Sequence, residues 1–511
     1  MISLPRLAAI LIALGSLTPA VAQTAIVGQP QSLPQSTGNV SQARARAYAK
    51  VLEGQRHLVH FKGGGDAEIA GRARQAFLEA AKLDPTLAEA HTALAQIAFY
   101  YPPQDLDAAT LEGTNATKID PDNFGAHQIL SRLYTIKSGL REGNLNNSFV
   151  TLAIKELNEV ARLDKNNAES WALLGEFYDA TKQNEKALTA WSRWAAAPLA
   201  SDTRFFQYIT NSELTTEAAN ARLAIGLMAA ERWSDALAAV RRAVASEPDN
   251  RNYLLLLNRA FEADGSRDQA TISDLQHIVA ANPANTLATQ ILAQIESQRG
   301  NWQDAVKLLR AQLKGTPADF PSYLAISAAY SQGGQTKEAV EAAQKALELA
   351  PPQEQQMVSS ALVVLASAQE QAGDMKGAEE SLRRILAKEP NNATALNNLG
   401  YFLTEHNERL PEALEMIQRA VKAEPDNASF LDSLGWIYFK LGQLNEAEQN
   451  LSQAARGNAR SATIHEHLGE VYSARKDPIK ARAAWEKALA LSNEPAQTAR
   501  LRARLSTKAN D

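Results

Sequence analysis

The chain has no cysteine among its 511 residues. Disulfides, thiolate metal sites, cysteine nucleophiles and a lipidated N-terminal cysteine are therefore excluded, and the chain is compatible with an oxidising compartment. Aromatic residues make up only 6%, so each ring that falls outside a core carries information. Positive charge is in short supply: 52 Lys and Arg face 57 Asp and Glu, for a net charge of −5. No basic stripe stands out, and no nucleic-acid partner is expected. The motifs of common catalysts are missing too. There is no Gly-x-Ser-x-Gly, no His-Glu-x-x-His and no paired-carboxylate cleft. Gly63-Gly64-Gly65 follows a helical pattern and lacks the Lys-Ser/Thr of a phosphate loop, so it reads as a turn. His57 and His60 stand three apart with no third ligand near them, and His465 and His467, two apart, point away from each other. The expectation is a chain with no catalytic residues, no metal and no cofactor.

No hydrophobic run reaches the roughly 20 residues that a membrane-spanning helix needs. The apolar stretch Leu7–Leu17 follows Arg6 and precedes Pro19 and the small-residue pattern Ala20-Val21-Ala22. This reads as a signal peptide over residues 1–22, cleaved after Ala22, and it predicts an exported, periplasmic protein without a transmembrane segment in the mature chain. Residues 23–40, rich in Gln, Pro, Ser and Thr, read as a flexible leader.

What the sequence does have is a period. Ala236, Ala270, Ala305, Ala339, Ala378, Ala413, Ala447 and Ala481 are spaced by 34, 35, 34, 39, 35, 34 and 34 residues. A period near 34 is that of a two-helix repeat, which buries its apolar face only against its neighbours. A proline phrase marks the repeat boundaries, as in Lys82-Leu83-Asp84-Pro85, Ser246-Glu247-Pro248-Asp249, Lys388-Glu389-Pro390-Asn391 and Ala423-Glu424-Pro425-Asp426. Proline ends one helix, and the Asp or Asn that follows it is expected to cap the next.

Trp171-Ala172-Leu173-Leu174-Gly175-Glu176-Phe177-Tyr178, with Ala187 twelve residues after Gly175, resembles the tetratricopeptide repeat pattern W-x2-L-G-x2-Y followed by alanine. The pattern returns at Leu431, Leu434, Gly435, Tyr438 and Ala447, and at His465, Leu468, Gly469, Tyr472 and Ala481. The resemblance implies an all-α, right-handed solenoid of about twelve helical hairpins over residues 41–491, with a capping helix in 492–511. The sequence divides into an N-terminal arm (41–200) and a C-terminal arm (201–491). An extra helix or bend is expected at 197–215, and a polar loop at 137–148.

On a helical wheel, Leu431, Leu434, Gly435 and Tyr438 share the face that packs inside the hairpin. Positions on the other side have no partner within the repeat, and first helices line the concave groove of tetratricopeptide arrays. This singles out Asn397, Tyr401 and Thr404, then Asp432, Trp436 and Phe439, then Glu466 and Glu470 as a partner-binding groove for a protein or peptide. The Lys/Asn pattern of repeats that grip chaperone C-termini is absent, and the acidic end is expected to repel a carboxylate. The last third also resembles exported bacterial adaptors that deliver substrates to periplasmic proteases. A structural part of a cell-envelope or polysaccharide-export assembly is the alternative. Partner identity and oligomeric state are not encoded in any motif.

Overall fold

The computed structural model describes residues 42–59, 67–265, 268–492 and 495–506. The proposed signal peptide and leader, His60, the Lys62–Gly65 turn, the Asp66 cap and the last five residues lie outside them. Every regular element among the described residues is helical, and no helix there is long and apolar enough to cross a membrane. The chain divides into two compact units between Ala260 and Phe261.

The first unit is built from α1 (Gln42–Val59), α2 (Ala67–Leu83), α3 (Ala88–Tyr100), α4 (Leu106–Ile119), α5 (Phe124–Lys137) and α6 (Asn147–Leu163). It continues with α7 (Ala168–Ala180), α8 (Asn184–Ala196), a short α9 (Arg204–Thr210), α10 (Thr216–Ala229) and α11 (Trp233–Ser246). The boundary falls inside α12 (Arg251–Ala263). The second unit holds α13 (Gln269–Ala281), α14 (Thr286–Gln298), α15 (Trp302–Arg310), α16 (Phe320–Gln332), α17 (Thr336–Leu349), α18 (Gln355–Gln371) and α19 (Met375–Lys388). After these come α20 (Ala393–Glu405), α21 (Leu410–Ala423), α22 (Ala428–Lys440), α23 (Leu444–Gly457), α24 (Ala462–Ala474), α25 (Pro478–Leu491) and the closing α26 (Pro495–Ser506). Within each unit a first helix packs on its hairpin partner, and that partner packs on the next first helix. Consecutive first helices also touch, as α20, α22 and α24 do.

The periodic alanines set the spacing. Ala236, Ala305, Ala339, Ala378, Ala413 and Ala447 are 0% exposed and Ala481 is 1% exposed. They sit on second helices, where the first-helix backbone comes close. A Cβ on Gly435 would lie 3.1 Å from the Ala447 carbonyl and 2.6 Å from Leu451. In α16 the same seat is Ser327, whose hydroxyl donates to the Ala339 carbonyl at 2.8 Å. Ala270 departs from the rule. It is only half-buried, and Thr271 takes the fully buried seat because Asp268 caps α13 through the Thr271 amide and hydroxyl.

The helix starts also differ by one residue from the expectation. Asn392 and Asn427, the second residues after Pro390 and Pro425, cap the first turns of α20 and α22, accepting from the amides of Ala395 and of Ser429 and Phe430. The residues ahead of some prolines make the turn instead: the Asp84 carboxylate accepts from the Thr86 amide at 3.0 Å. Hairpin turns close on a left-handed residue, supplied by Gly373 and Gly442 but also by Lys182, Glu231 and Lys476.

The polar segment at 137–148 is a turn, since α5 ends at Lys137 and α6 starts at Asn147. The interruption at 197–215 contains α9, whose Phe205 and Phe206 are fully buried. The two irregular segments hold one another: Arg141 donates to the Tyr208 carbonyl at 2.9 Å and lies 4.0 Å over its ring.

Candidate partner-binding face

First helices carry two sets of polar side chains. One set closes the turns between repeats. Trp171 Nε1 donates to the Lys165 carbonyl at 2.9 Å, and His91, His127 and His465 place Nε2 at 3.1, 3.0 and 2.9 Å from the carbonyls of Pro85, Pro121 and Ala459. All four occupy the tryptophan position of the repeat motif, six residues after the carbonyl they meet. The sequence reading missed this role, although the recurrence of Trp or His three residues before Leu94, Leu130, Leu174 and Leu468 carries the signal. A carbonyl only accepts, so these ring nitrogens carry hydrogen. His127 also sets Nδ1 2.5 Å from the Glu156 carboxylate, where a donor is needed as well. Protonation of both ring nitrogens satisfies both acceptors. Burial opposes the charge, but the Glu156 hydrogen bond, the Pro121 carbonyl and the charges of Glu156 and Glu159 raise the His127 pKa. In His465, without such a carboxylate, burial lowers it.

The second set ties each first helix to the next. In the first unit Tyr48 donates to Glu89 at 2.8 Å, and Arg132 reaches back to the Tyr100 hydroxyl at 2.6 Å. Arg132 also grips Glu169 with two hydrogen bonds of 2.7 and 2.6 Å. Arg132 is 2% exposed, and the ring of Phe205 on α9 lies 4.9 Å from its guanidinium. The extra helix thus covers the first-helix ladder of this unit.

In the second unit the ladder runs through the residues that the sequence singled out. Trp436 donates its indole N–H to Glu405 at 2.6 Å. Its ring stacks on His467 at 4.1 Å and on Phe439 at 4.9 Å. Asp432 faces Nδ1 of His467 at 2.9 Å. Glu370 meets Nε2 of His406 at 3.0 Å. Trp436 and Phe439 are therefore half-buried between successive first helices, with part of their surface left in solvent.

Asn397 and Tyr401 lie one turn apart on α20. Asn397 is 7% exposed. Its amide nitrogen has one long contact, 3.4 Å to Asn398, and its Oδ1 meets no donor among the described residues. Burial pushes the Tyr401 phenol well above its usual pKa, and the charges of Glu405, Asp432, Glu370 and Glu466 push it further.

Two expectations are corrected here. Thr404 does not line the face: it is fully buried, with its hydroxyl turned back to the Gly400 carbonyl at 2.7 Å. The acidic end formed by Glu466 and Glu470 is not unscreened. Gln497 and Arg500 of α26 meet Glu466 at 2.8 and 3.3 Å, and Arg504 pairs with Glu470 at 2.8 Å. The closing helix stacks where a further repeat would sit, so its arginines occupy that surface. Even so, burial raises the Glu470 pKa despite Arg504.

Three models of the tetratricopeptide repeat match this chain: one at residues 222–286, 363–428 and 433–499, another at 416–449 and a third at 320–353. The chain is a tetratricopeptide repeat protein. A TPR repeat-containing protein of Pseudomonas aeruginosa is 30% identical over 148 residues, covering 29% of this chain and 24% of that one. The chain thus spans about a quarter of the length of that relative. Among solved structures, a TPR protein of Thermus thermophilus is 24% identical over 36% of this chain and 96% of its own, with a TM-score of 0.32. Yeast Tom70 is 16% identical over 89% of this chain and 95% of its own, with a TM-score of 0.42. No group of three or more metal-ligating side chains occurs among the described residues.

Proposed function

We propose that this tetratricopeptide protein is an exported, non-catalytic adaptor that holds a protein or peptide partner on the first helices of its second unit, and that it hands this partner to a periplasmic protease. Support for export comes from the sequence, with Arg6, the apolar stretch Leu7–Leu17 and the Ala20-Val21-Ala22 pattern. The buried ionisable groups support a non-catalytic role. His127 with Glu156, Arg132 with Glu169 and Asp432 with His467 are committed to one another as struts between helices.

The observation that carries the reading is the ring cluster of Trp436 and Phe439. These rings are large and half-buried at the junction of three first helices, the setting in which interface anchors recur. Where the first unit has Phe205 of α9 over Arg132, the second leaves part of Trp436 and Phe439 in solvent.

The test is capture from an envelope extract by the full chain, compared with a Trp436→Ala, Phe439→Ala double variant of unchanged helicity. The reading predicts that one set of proteins is lost from the variant, a protease or its substrates among them. An identical captured set contradicts it. Stable co-purification with membrane components, indifferent to the double variant, favours a structural role in an envelope assembly.

A further inference from the structure

The face around Tyr401 is rich in acceptors and poor in donors. Four carboxylates, those of Glu370, Glu405, Asp432 and Glu466, act on the Tyr401 ring. Their partners are the His406 ring, the Trp436 indole, the His467 ring, and Gln497 with Arg500. Of the four, Glu466 is the one with a permanently charged side chain against it among the described residues. Two further polar groups on this side of α20 lack partners among the described residues. The Tyr401 hydroxyl makes no hydrogen bond to a described residue, and Asn397, more than nine-tenths buried one helical turn away, leaves Oδ1 without a donor. A buried acceptor left unmade is costly, and leucine fills the same volume without that cost. The Trp436 ring borders Glu405, to which it donates at 2.6 Å, and Phe439 stacks behind it. The Trp436 faces are taken up within this chain, by the stacked rings of His467 and Phe439 and by Lys440 at 5.2 Å.

Unpaired oxygens and incompletely neutralised carboxylates together match a side chain that carries several N–H donors and a positive charge. We propose that the surface formed by Asn397, Tyr401, Glu405 and Trp436 binds a lysine or arginine side chain within an extended basic segment of the partner protein. The proposal rests on the reading of the second unit as the partner-binding face. It adds the chemistry of what is held: the Asn397 and Tyr401 oxygens accept from the cation, and the carboxylates draw it in.

The probe is a short fluorescein-labelled peptide of alternating lysine and alanine, titrated into the full chain at physiological salt and followed by anisotropy. Its lysine-acetylated form is the control. The lysine peptide is expected to bind about tenfold more tightly than the acetylated one, because acetylation removes the charge that the carboxylates attract. Glu405→Gln, which keeps the acceptor for Trp436, is expected to weaken binding several-fold. Glu446→Gln, an equal change of charge on the exposed second-helix surface, is expected to leave it unchanged. Asn397→Leu is expected to raise thermal stability and lower peptide affinity together, as happens when a site holds a polar group at the expense of the fold.

No binding of the lysine peptide, equal losses in the two glutamate variants, or an Asn397→Leu protein that gains stability with undiminished affinity would each overturn the proposal. If both peptides bind alike and the Trp436→Ala, Phe439→Ala variant binds neither, the face is a binding site but not one for a cation. If that variant also captures the same proteins from extract as wild type, the underlying reading of the face falls with it.

Discussion

Glu169→Ala is expected to destabilise the first unit by about 3–5 kcal/mol, because it strands the Arg132 guanidinium in the interior. Arg132 is 2% exposed and is held by two hydrogen bonds to Glu169 and one to Tyr100, under the ring of Phe205. Removing the carboxylate leaves the buried charge with Asp202 alone, which already pairs with Arg204 at 2.9 Å. The effect belongs to the loss of one partner, not to the worth of the pair. Taking a charged pair out of water nearly cancels what its attraction returns. An Arg132→Met, Glu169→Leu double variant is therefore expected to recover most of the loss. The measurement is urea unfolding followed by hydrogen exchange resolved along the chain, since stacked repeats need not unfold in one step. Protection should fall in α5, α7 and α9 and persist in α20 to α25. Losses in the double variant as large as in the single one would show that the side chains act through shape, not charge.

Trp191→Ala is the second large effect, about 3–5 kcal/mol from the lost burial and the cavity left behind. Trp191 is 4% exposed and packs between two first helices, against Gly175 of α7 and Gly226 of α10. Both glycines leave room for its ring: a Cβ on Gly226 would lie 2.6 Å from it. This tryptophan joins α8 directly to α10 and carries the stack past the interruption of α9. Trp171→Phe, at a half-buried ring whose polar contact is the bond to the Lys165 carbonyl, should cost only about 0.5–1.5 kcal/mol. Similar losses from the two substitutions, read by the same unfolding measurement, would contradict the packing role given to Trp191.

The hairpins were readable because the constraint that makes them is local and repeated. A second-helix alanine and a small first-helix residue must recur at fixed spacing for two backbones to approach, and Gly435 with Ala447 meets that demand in the sequence as in space. The period failed at Ala270, where the Asp268 cap makes Thr271 the better buried residue. It failed by one position at the Asn392 and Asn427 caps, where the turn after proline takes one residue more than the spacing shows.

The face itself was legible only in part. Wheel positions put Asn397, Tyr401, Asp432, Trp436 and Phe439 on one side of the first helices α20 and α22, the side proposed to meet a partner. What they touch depends on the neighbouring repeats, roughly one repeat length away in each direction. Nothing in the repeat pattern places Arg500 and Arg504 on Glu466 and Glu470, because the closing helix lies outside the period. Nor does the sequence announce that Phe205 covers Arg132, since α9 belongs to no repeat. The ring staples at His91, His127, Trp171 and His465 are visible at one motif position. They escape a reading that weighs histidine as a metal ligand and not as a donor to a carbonyl.

The central claim is that first helices of the second unit, not second helices, meet the partner. Site-specific photocross-linking in living cells tests it without the partner having to be identified first. A photoreactive residue placed at Phe439 or at exposed Thr463 of the first helices should yield a discrete adduct, while one at exposed Glu415 or Glu446 of the second helices should not. Adducts from Glu415 and Glu446, with none from Phe439 and Thr463, would contradict the account.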